Sequence, residues 1–154
     1  MRPKQYLVYV CCLCAMMSLG AGSVRAAASD TPTAPSPLKI ANDLVKKQKY
    51  EDALVALKKS LAADPENADL LNLTGFSYRK LRDLDNAYKY YSEALTVNPE
   101  HTGALNYLGI LYVNTGQPEK ALELLTRLDD ACFFTCDEYT QLKQAIESGS
   151  APEW

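Results

Sequence analysis

Histidine is almost missing from this sequence: His101 is the only one in 154 residues. That excludes a multi-histidine metal centre. It also leaves histidine-dependent catalysis with one candidate, and no serine, cysteine or aspartate around it supplies a nucleophile with a base and an orienting group. His101 therefore reads as a helix-start residue beside Pro99, and no catalytic residue is assigned. An excess of positive charge is missing too. Sixteen lysines and arginines face 19 acids, a net charge of −3, so a nucleic-acid partner, which needs a basic face, is excluded. Helix breakers are few, with seven glycines and eight prolines, while 47% of residues are hydrophobic. Most of the chain can build a core. A helical binding module without cofactor or metal fits this composition better than an enzyme.

The N-terminus has a different character. Arg2 and Lys4 precede Tyr6–Gly22, which carries no charge in 17 residues. Small residues follow at Val24, Ala26 and Ala28. Positive start, uncharged middle and small-x-small end predict a secretory signal over 1–26, cut after Ala26 or, second, Ala28. The alternative is retention as a membrane anchor, which 17 residues barely reach; membrane contact is expected only in that case. Cleavage leaves 13 basic and 19 acidic residues, a net charge of −6. It also removes Cys11, Cys12 and Cys14, leaving Cys132 and Cys136. Residues 27–37, rich in Ala, Ser and Pro, read as a flexible tether.

Beyond the tether the sequence repeats every 34 residues. Ala53, Ala87 and Ala121 share one register, as do Leu57, Tyr91 and Leu125. Pro65 and Pro99, Leu71 and Leu105, Asn72 and Asn106, Gly75 and Gly109, and Tyr78 and Tyr112 agree with it. Within a unit, Leu71, Thr74, Gly75 and Tyr78 have the i, i+3, i+4, i+7 spacing of a helix face. After a break at Arg82-Asp83, Leu84, Ala87, Tyr91, Ala94 and Leu95 repeat it. Gly116 ends one helix and Pro118 opens another.

L-x-x-T-G-x-x-Y at 71–78, A-x-x-x-Y-x-x-A at 87–94 with Pro99, and L-x-x-L-G-x-x-Y at 105–112 with A-x-x-x-L at 121–125 resemble the tetratricopeptide repeat. The first unit is more degenerate, with Ala41 at the glycine place and Leu44 at the tyrosine place. The resemblance implies an all-α fold. It is an α-solenoid of three helix-turn-helix units, 34–67, 68–101 and 102–135, plus a C-terminal capping helix at 136–148. The domain spans 38–148, and 149–154 is a tail. Gly75 and Gly109 are expected to let each first helix approach Ala87 and Ala121 of its partner. Tyr78 and Tyr112 are expected to fill the gap toward the neighbouring unit. In the cap helix Tyr139, Leu142 and Ile146 keep register, Lys143 at the small place marks the end of the stack, and Thr135 with Glu138 forms a capping box.

The same resemblance places a concave groove on the first helices. The positions facing it are Leu38, Asn42, Asn72, Phe76, Arg79, Lys80, Asn106, Ile110, Val113 and Asn114. Amides both donate and accept, so Asn72 and Asn106 are expected to hold an extended backbone while Phe76 and Ile110 supply apolar contact. Replacing both asparagines by alanine is then expected to weaken capture and leave melting unchanged. Some relatives clamp a terminal carboxylate; those places here carry Leu38, Asn42, Leu73, Gly103 and Tyr107. Only Asn42 matches, so the clamp is not carried over. The expected partner is a protein or peptide segment. Asn72-Leu73-Thr74 has the form of a glycosylation sequon on the groove face, where a glycan would block stacking; this favours export to a bacterial periplasm. Cys132-Phe133-Phe134-Thr135-Cys136 joins the last repeat to the cap. Three readings stand: a disulfide staple, a redox or soft-metal dithiol, or inert thiols. The rival function is accordingly a thiol- or metal-handling accessory factor.

Overall fold

A computed structural model describes residues 35–133 and 136–150. Among them are seven helices and no strand: α1 (Pro37–Lys46), α2 (Tyr50–Ala63), α3 (Ala68–Lys80), α4 (Leu84–Val97), α5 (Thr102–Asn114), α6 (Pro118–Ala131) and α7 (Asp137–Ser148). The signal segment, residues 27–34 of the tether and residues 151–154 lie outside the described residues. The helices pair as α1 with α2, α3 with α4 and α5 with α6. Each pair packs on the next, and α7 lies against both α5 and α6.

Short polar side chains cap three of these seven helices, because the first backbone N–H groups have no partner within the helix. Ser36 Oγ accepts from the Lys39 N–H at 3.2 Å, Asn67 Oδ1 from Leu70 at 3.1 Å, and Asp83 Oδ1 from Asn86 at 3.2 Å. Two starts differ from the sequence expectation. Pro37, assigned to the tether, is the first residue of α1, where its missing N–H costs nothing. The capping box at Thr135 and Glu138 is not what starts α7: Cys136 is its N-cap and makes no side-chain capping bond. Thr135 itself lies outside the described residues.

The turn inside each pair repeats like the sequence. The carbonyls of Leu44, Tyr78 and Tyr112 accept from the N–H groups of Lys49, Asp83 and Gln117 at 3.0, 3.0 and 2.8 Å. This bond needs one left-handed residue, supplied by Gln48 (φ 58°), Arg82 (φ 65°) and Gly116 (φ 74°). Only the last is glycine, for which that conformation carries no Cβ penalty. Arg82→Gly is therefore expected to stabilise by about 0.5–1 kcal/mol and to raise the melting temperature by roughly 2–5 °C. Thermal unfolding of the single mutant checks this. A fall would mean that the Arg82 side chain contributes more than its backbone strain removes.

Between the helices, Ala53, Ala87 and Ala121 have no exposed surface, and Leu57, Tyr91, Leu105 and Leu128 are equally buried. Gly75 does what the repeat demands. A Cβ placed there would stand 2.8 Å from the Tyr91 ring and 3.2 Å from the Ala87 carbonyl. Gly109 differs from its expected partner: its nearest neighbour is Leu142 of α7, whose methyl carbons would lie 2.6 Å from an added Cβ. Repeat three has the shorter Leu125 at the Tyr91 place, and Leu142 occupies the space over the glycine.

Toward the outer face, Tyr78 stacks on Tyr90 with ring centroids 5.5 Å apart, and Lys58 of the preceding pair lies 5.4 Å over it. Tyr112 meets Tyr88 edge-on at 6.0 Å, again reaching the preceding pair. Burial, then the hydroxyl bond with Tyr88, pushes the Tyr112 phenol up to about 12.

The cap is seated by its apolar face, and a cysteine pair stands before it. Leu142 and Ala145 are fully buried, with Tyr139 and Ile146 packed beside them, and Lys143 is exposed. Before the helix, Cys132 and Cys136 stand with Cα atoms 5.9 Å apart and sulfurs at 2.05 Å, a separation that suits a disulfide. Closing so short a loop constrains the unfolded chain by only about 2 kcal/mol. Cys132→Ser is therefore expected to act locally, raising amide exchange in 137–148 and lowering the melting temperature by a few degrees. Hydrogen-exchange mass spectrometry and a thermal melt check it. Faster exchange across α1–α4 as well would contradict a local staple.

Candidate functional site

The first helices α1, α3, α5 and α7 follow one another along one side of the stack. Their shared face holds most of the residues singled out from the sequence. At its centre Phe76 of α3 and Tyr107 of α5 lie 5.3 Å apart between ring centroids. The Arg79 guanidinium sits between them, 5.1 Å from the Phe76 ring and 5.2 Å from the Tyr107 ring. Lys80 lies 5.8 Å over the same Phe76. Tyr50, the first residue of α2, extends the aromatic row at 6.4 Å from Phe76, and Tyr91 backs Tyr107 at 5.9 Å. Burial pushes the Tyr91 phenol up, and the Arg79 charge beside it pulls the other way. Each cation over a ring gains about 0.5–2 kcal/mol, the more as water is excluded. The row is thus a stiff apolar floor with one positive charge built in and a second at its edge.

Around this floor the amides separate into two kinds. Asn72 is half-buried, beside Gly103: a Cβ on that glycine would meet the Asn72 amide nitrogen at 3.1 Å. The missing side chain leaves Asn72 its place. Its Oδ1 accepts no hydrogen bond from the protein. Asn42 and Asn114 are also half-buried, toward the two ends of the face.

Asn106 is different. It is 1% exposed, and its Nδ2 donates to Gln141 Oε1 of α7 at 3.0 Å. The expectation that Asn72 and Asn106 act as equivalent peptide readers is corrected here. The cap helix covers the second asparagine, so Asn106→Ala removes an interhelical bond and is expected to cost stability. Ile110 is likewise buried and does not offer open apolar contact, and Val113 is buried beside it. Arg79, at 5% exposure, is part of the floor rather than an open cation. Phe76 and Lys80 keep partial exposure.

Two groove residues were not singled out. Tyr107 falls at a clamp position where it does not match the clamp pattern. Tyr50 opens a second helix, and a rule that admits first helices alone misses it. His101 caps α5: its Nδ1 accepts from the Ala104 N–H at 3.1 Å, and its Nε2 lies 3.1 Å from Asp69 of the preceding pair. Among the described residues no three of His, Cys, Asp and Glu converge to hold a metal ion. No described helix is long and apolar enough to cross a membrane.

Comparison with known proteins agrees with the architecture. Two tetratricopeptide repeat profiles match, one over residues 38–95 and the other over 78–146. A curated relative, protein adenylyltransferase Fic of Aedes aegypti, is 32% identical over 130 residues, which are 82% of this chain and 26% of that one. The chain thus spans about a quarter of that enzyme's length. Among solved structures, the first repeat domain of Spaghetti (RPAP3) bound to the HSP90 peptide SRMEEVD superposes with a TM-score of 0.65 at 22% identity, covering 73% of this chain and 88% of that one. The translocator chaperone SycD of Yersinia enterocolitica gives 0.67 at 15% identity, covering 73% and 80%. The second domain of human RPAP3, in complex with an HSP70 peptide, gives 0.64 at 20%, covering 73% and 92%. At these identities the structural likeness establishes the fold.

Proposed function

This chain belongs to the tetratricopeptide repeat family, and we propose that within it the protein is an adaptor that holds an extended segment of a partner protein against the face built on Phe76 and Tyr107. The aromatic row carrying Arg79 is the observation that bears this reading. Such a floor is rigid before binding, so little side-chain freedom is lost on contact. Asn72 stands beside it with a buried Oδ1 that accepts no hydrogen bond from the protein; rotation of its amide toward the groove would let a backbone N–H of the segment satisfy that oxygen, and Lys80 adds a charge at the rim. The RPAP3 domains, which share the fold, were determined with peptides bound. The role we propose is non-enzymatic: the profiles that match are repeat profiles, and the likeness to Fic spans a quarter of that protein. The groove residues are Asn42, Asn72, Phe76, Lys80, Tyr107 and Asn114, with Arg79 acting through the two rings.

We further propose export to a bacterial periplasm. The support is the sequence of residues 1–26, together with a cysteine pair suited to an oxidising compartment. Amino-terminal sequencing of the protein recovered from its native host tests it. A start at Ala27 or Ser29 supports export with cleavage; an intact Met1 or Arg2 in the membrane fraction supports the retained anchor instead, and an intact Met1 or Arg2 in the cytosolic fraction ends the export reading.

Peptides selected from a random display library on the wild-type protein test the groove. Phe76→Ala is expected to weaken their binding by at least tenfold, the usual loss for a buried aromatic anchor. Asn72→Ala is expected to weaken it by roughly twofold to fifteenfold, for one hydrogen bond of about 0.5–1.5 kcal/mol. Val55→Ser, on the outer surface, is expected to change nothing. If Phe76→Ala binds like wild type, the recognition surface lies elsewhere.

A further inference from the structure

A hollow of about 580 Å³ opens between the second helices α4 and α6, with α5 as its third wall. Leu95, Leu108 and Leu124 give it apolar surface, and Tyr88 and Tyr112 stand beside them. The 34-residue register explains why it is open. One repeat earlier, Tyr90 stacks on Tyr78 with ring centroids 5.5 Å apart and planes 14° from parallel, and Lys58 lies over the same Tyr78. In the next repeat the place of Tyr90 falls to Leu124 and that of Lys58 to Ser92. Both replacements are shorter, and both line the hollow. The chain itself thus shows what fits this place: an aromatic ring.

The charges of the lining indicate what that ring carries. Lys120 and Arg127 stand two turns apart on α6, about 10 Å along its axis, against one acid, Glu123. Both cations are exposed. Lys120 lies 5.1 Å over the Tyr112 ring and donates to Gln117 Oε1 at 2.7 Å. Arg127 Nη2 donates to the Pro99 carbonyl at 2.8 Å. An ammonium has three N–H donors and a guanidinium five, so each keeps donors to offer. Among the described residues the carboxylates in ion pairs are Asp43, Asp52 and Asp69, none of them with these two cations.

We propose that this hollow binds a small aromatic carboxylate. The ring takes the place that Tyr90 holds one repeat earlier, on the leucines beside Tyr112. The acid pairs with Lys120 or Arg127, according to the end toward which its arm points. The volume lies within the range of small-molecule sites. The apolar surface takes up the ring, and the exposed cations hold the acid at the rim, where the pairing is sensitive to salt. The site is separate from the peptide groove, since the hollow is built on second helices and shares no residue with Asn42, Asn72, Phe76, Lys80, Tyr107 and Asn114.

Amide chemical-shift titration of the full chain with 4-hydroxyphenylacetate tests this. Ser92, Thr96, Leu108 and Leu124 are expected to shift and to saturate with a Kd of about 1 mM or tighter, as suits a ligand of this size. The neutral 4-hydroxyphenylacetamide and the ring-free hexanoate are each expected to bind more weakly than the acid. Lys120→Gln with Arg127→Gln, both at exposed positions, is expected to weaken the acid by roughly twofold to fivefold or more and to leave the amide unchanged. Leu124→Tyr, checked for helicity by circular dichroism, refills the place and is expected to abolish binding. Shifts that stay linear to about 20 mM, well past that Kd, overturn the proposal. So does an amide or a hexanoate that binds as tightly as the acid, or a folded Leu124→Tyr that binds like wild type. If Leu124→Tyr does not fold, the charge variant decides, and unchanged binding of the acid by it ends the proposal. Saturable shifts centred on Asn72 and Phe76 would put the acid in the peptide groove and end it equally.

Discussion

Gly75→Leu is expected to lower the melting temperature by roughly 5–15 °C and to weaken peptide capture along with it. The substitution has one favourable term: leucine is a better helix former than glycine by about 0.8–1 kcal/mol. Packing opposes it. Even the first carbon of a side chain at this place would stand 2.8 Å from the Tyr91 ring and 3.2 Å from the Ala87 carbonyl. The carbonyl is helix backbone and cannot swing away, and the ring is fully buried with no pocket to enter. Overpacking of this kind typically costs about 1–3 kcal/mol, sometimes more. Each kcal/mol moves the melting temperature of a domain of this size by several degrees. The ring that must move is also the support of Tyr107, 5.9 Å away, so the groove floor shifts with the core. Gly75→Ala separates the terms, since it gains helix propensity and meets the same first-carbon contact. A melt of Gly75→Leu at the wild-type temperature would mean that α3 and α4 do not approach here.

Much of this architecture was legible because a solenoid repeats its physics locally. Each pair is joined by a short turn, buries the same alanine, and needs the same left-handed residue after its first helix. The break at Arg82-Asp83 and the stop at Gly116 could therefore be read from spacing. The cap was legible as well, since Tyr139, Leu142 and Ile146 keep the helical register. Its start was not. Thr135 and Glu138 have the form of a capping box, but a cysteine carries the N-cap place, and a local sequence pattern does not reveal which residue the preceding loop brings there.

The groove was legible in outline and misread in detail, and the reason is contact across sequence distance. Asn72 and Asn106 occupy identical places in their repeats, and helix spacing alone makes them equivalent. What separates them is Gln141, 35 residues beyond Asn106, on a helix that follows the last full repeat. Asn72 instead faces Gly103, which has no side chain to cover it. Arg79 shows the same limit. As a lone residue on a helix face it reads as an open charge. Two rings from different helices are needed to turn it into floor, and only one of them, Phe76, shares its helix.

Leu142→Ala is expected to be the most damaging single change, and Gly109→Ala to reverse its sign when combined with it. Leu142 is fully buried and rests on Gly109. Its truncation removes apolar contact and leaves a gap that the rigid backbone of α5 cannot close, at a cost of about 2–5 kcal/mol. In a stack whose units touch only neighbours, that loss is local in space. Exchange should rise in 137–148 and in α5, including Asn106, whose partner Gln141 sits on the loosened helix, while α1 and α2 stay protected. Gly109→Ala alone places a carbon 2.6 Å from the Leu142 methyl groups, so in wild type it is expected to destabilise despite alanine's better helix propensity. With Leu142 cut back to alanine those methyl groups are gone. The new Cβ then stands in the vacated space, and the propensity gain of about 0.8–1 kcal/mol survives. The double mutant is thus expected to melt above Leu142→Ala, although Gly109→Ala melts below wild type. The two substitutions are coupled because they share one volume. Additive melting shifts across the four proteins would show that α7 does not seat on Gly109, and the burial of Asn106 beneath it would then need another cause.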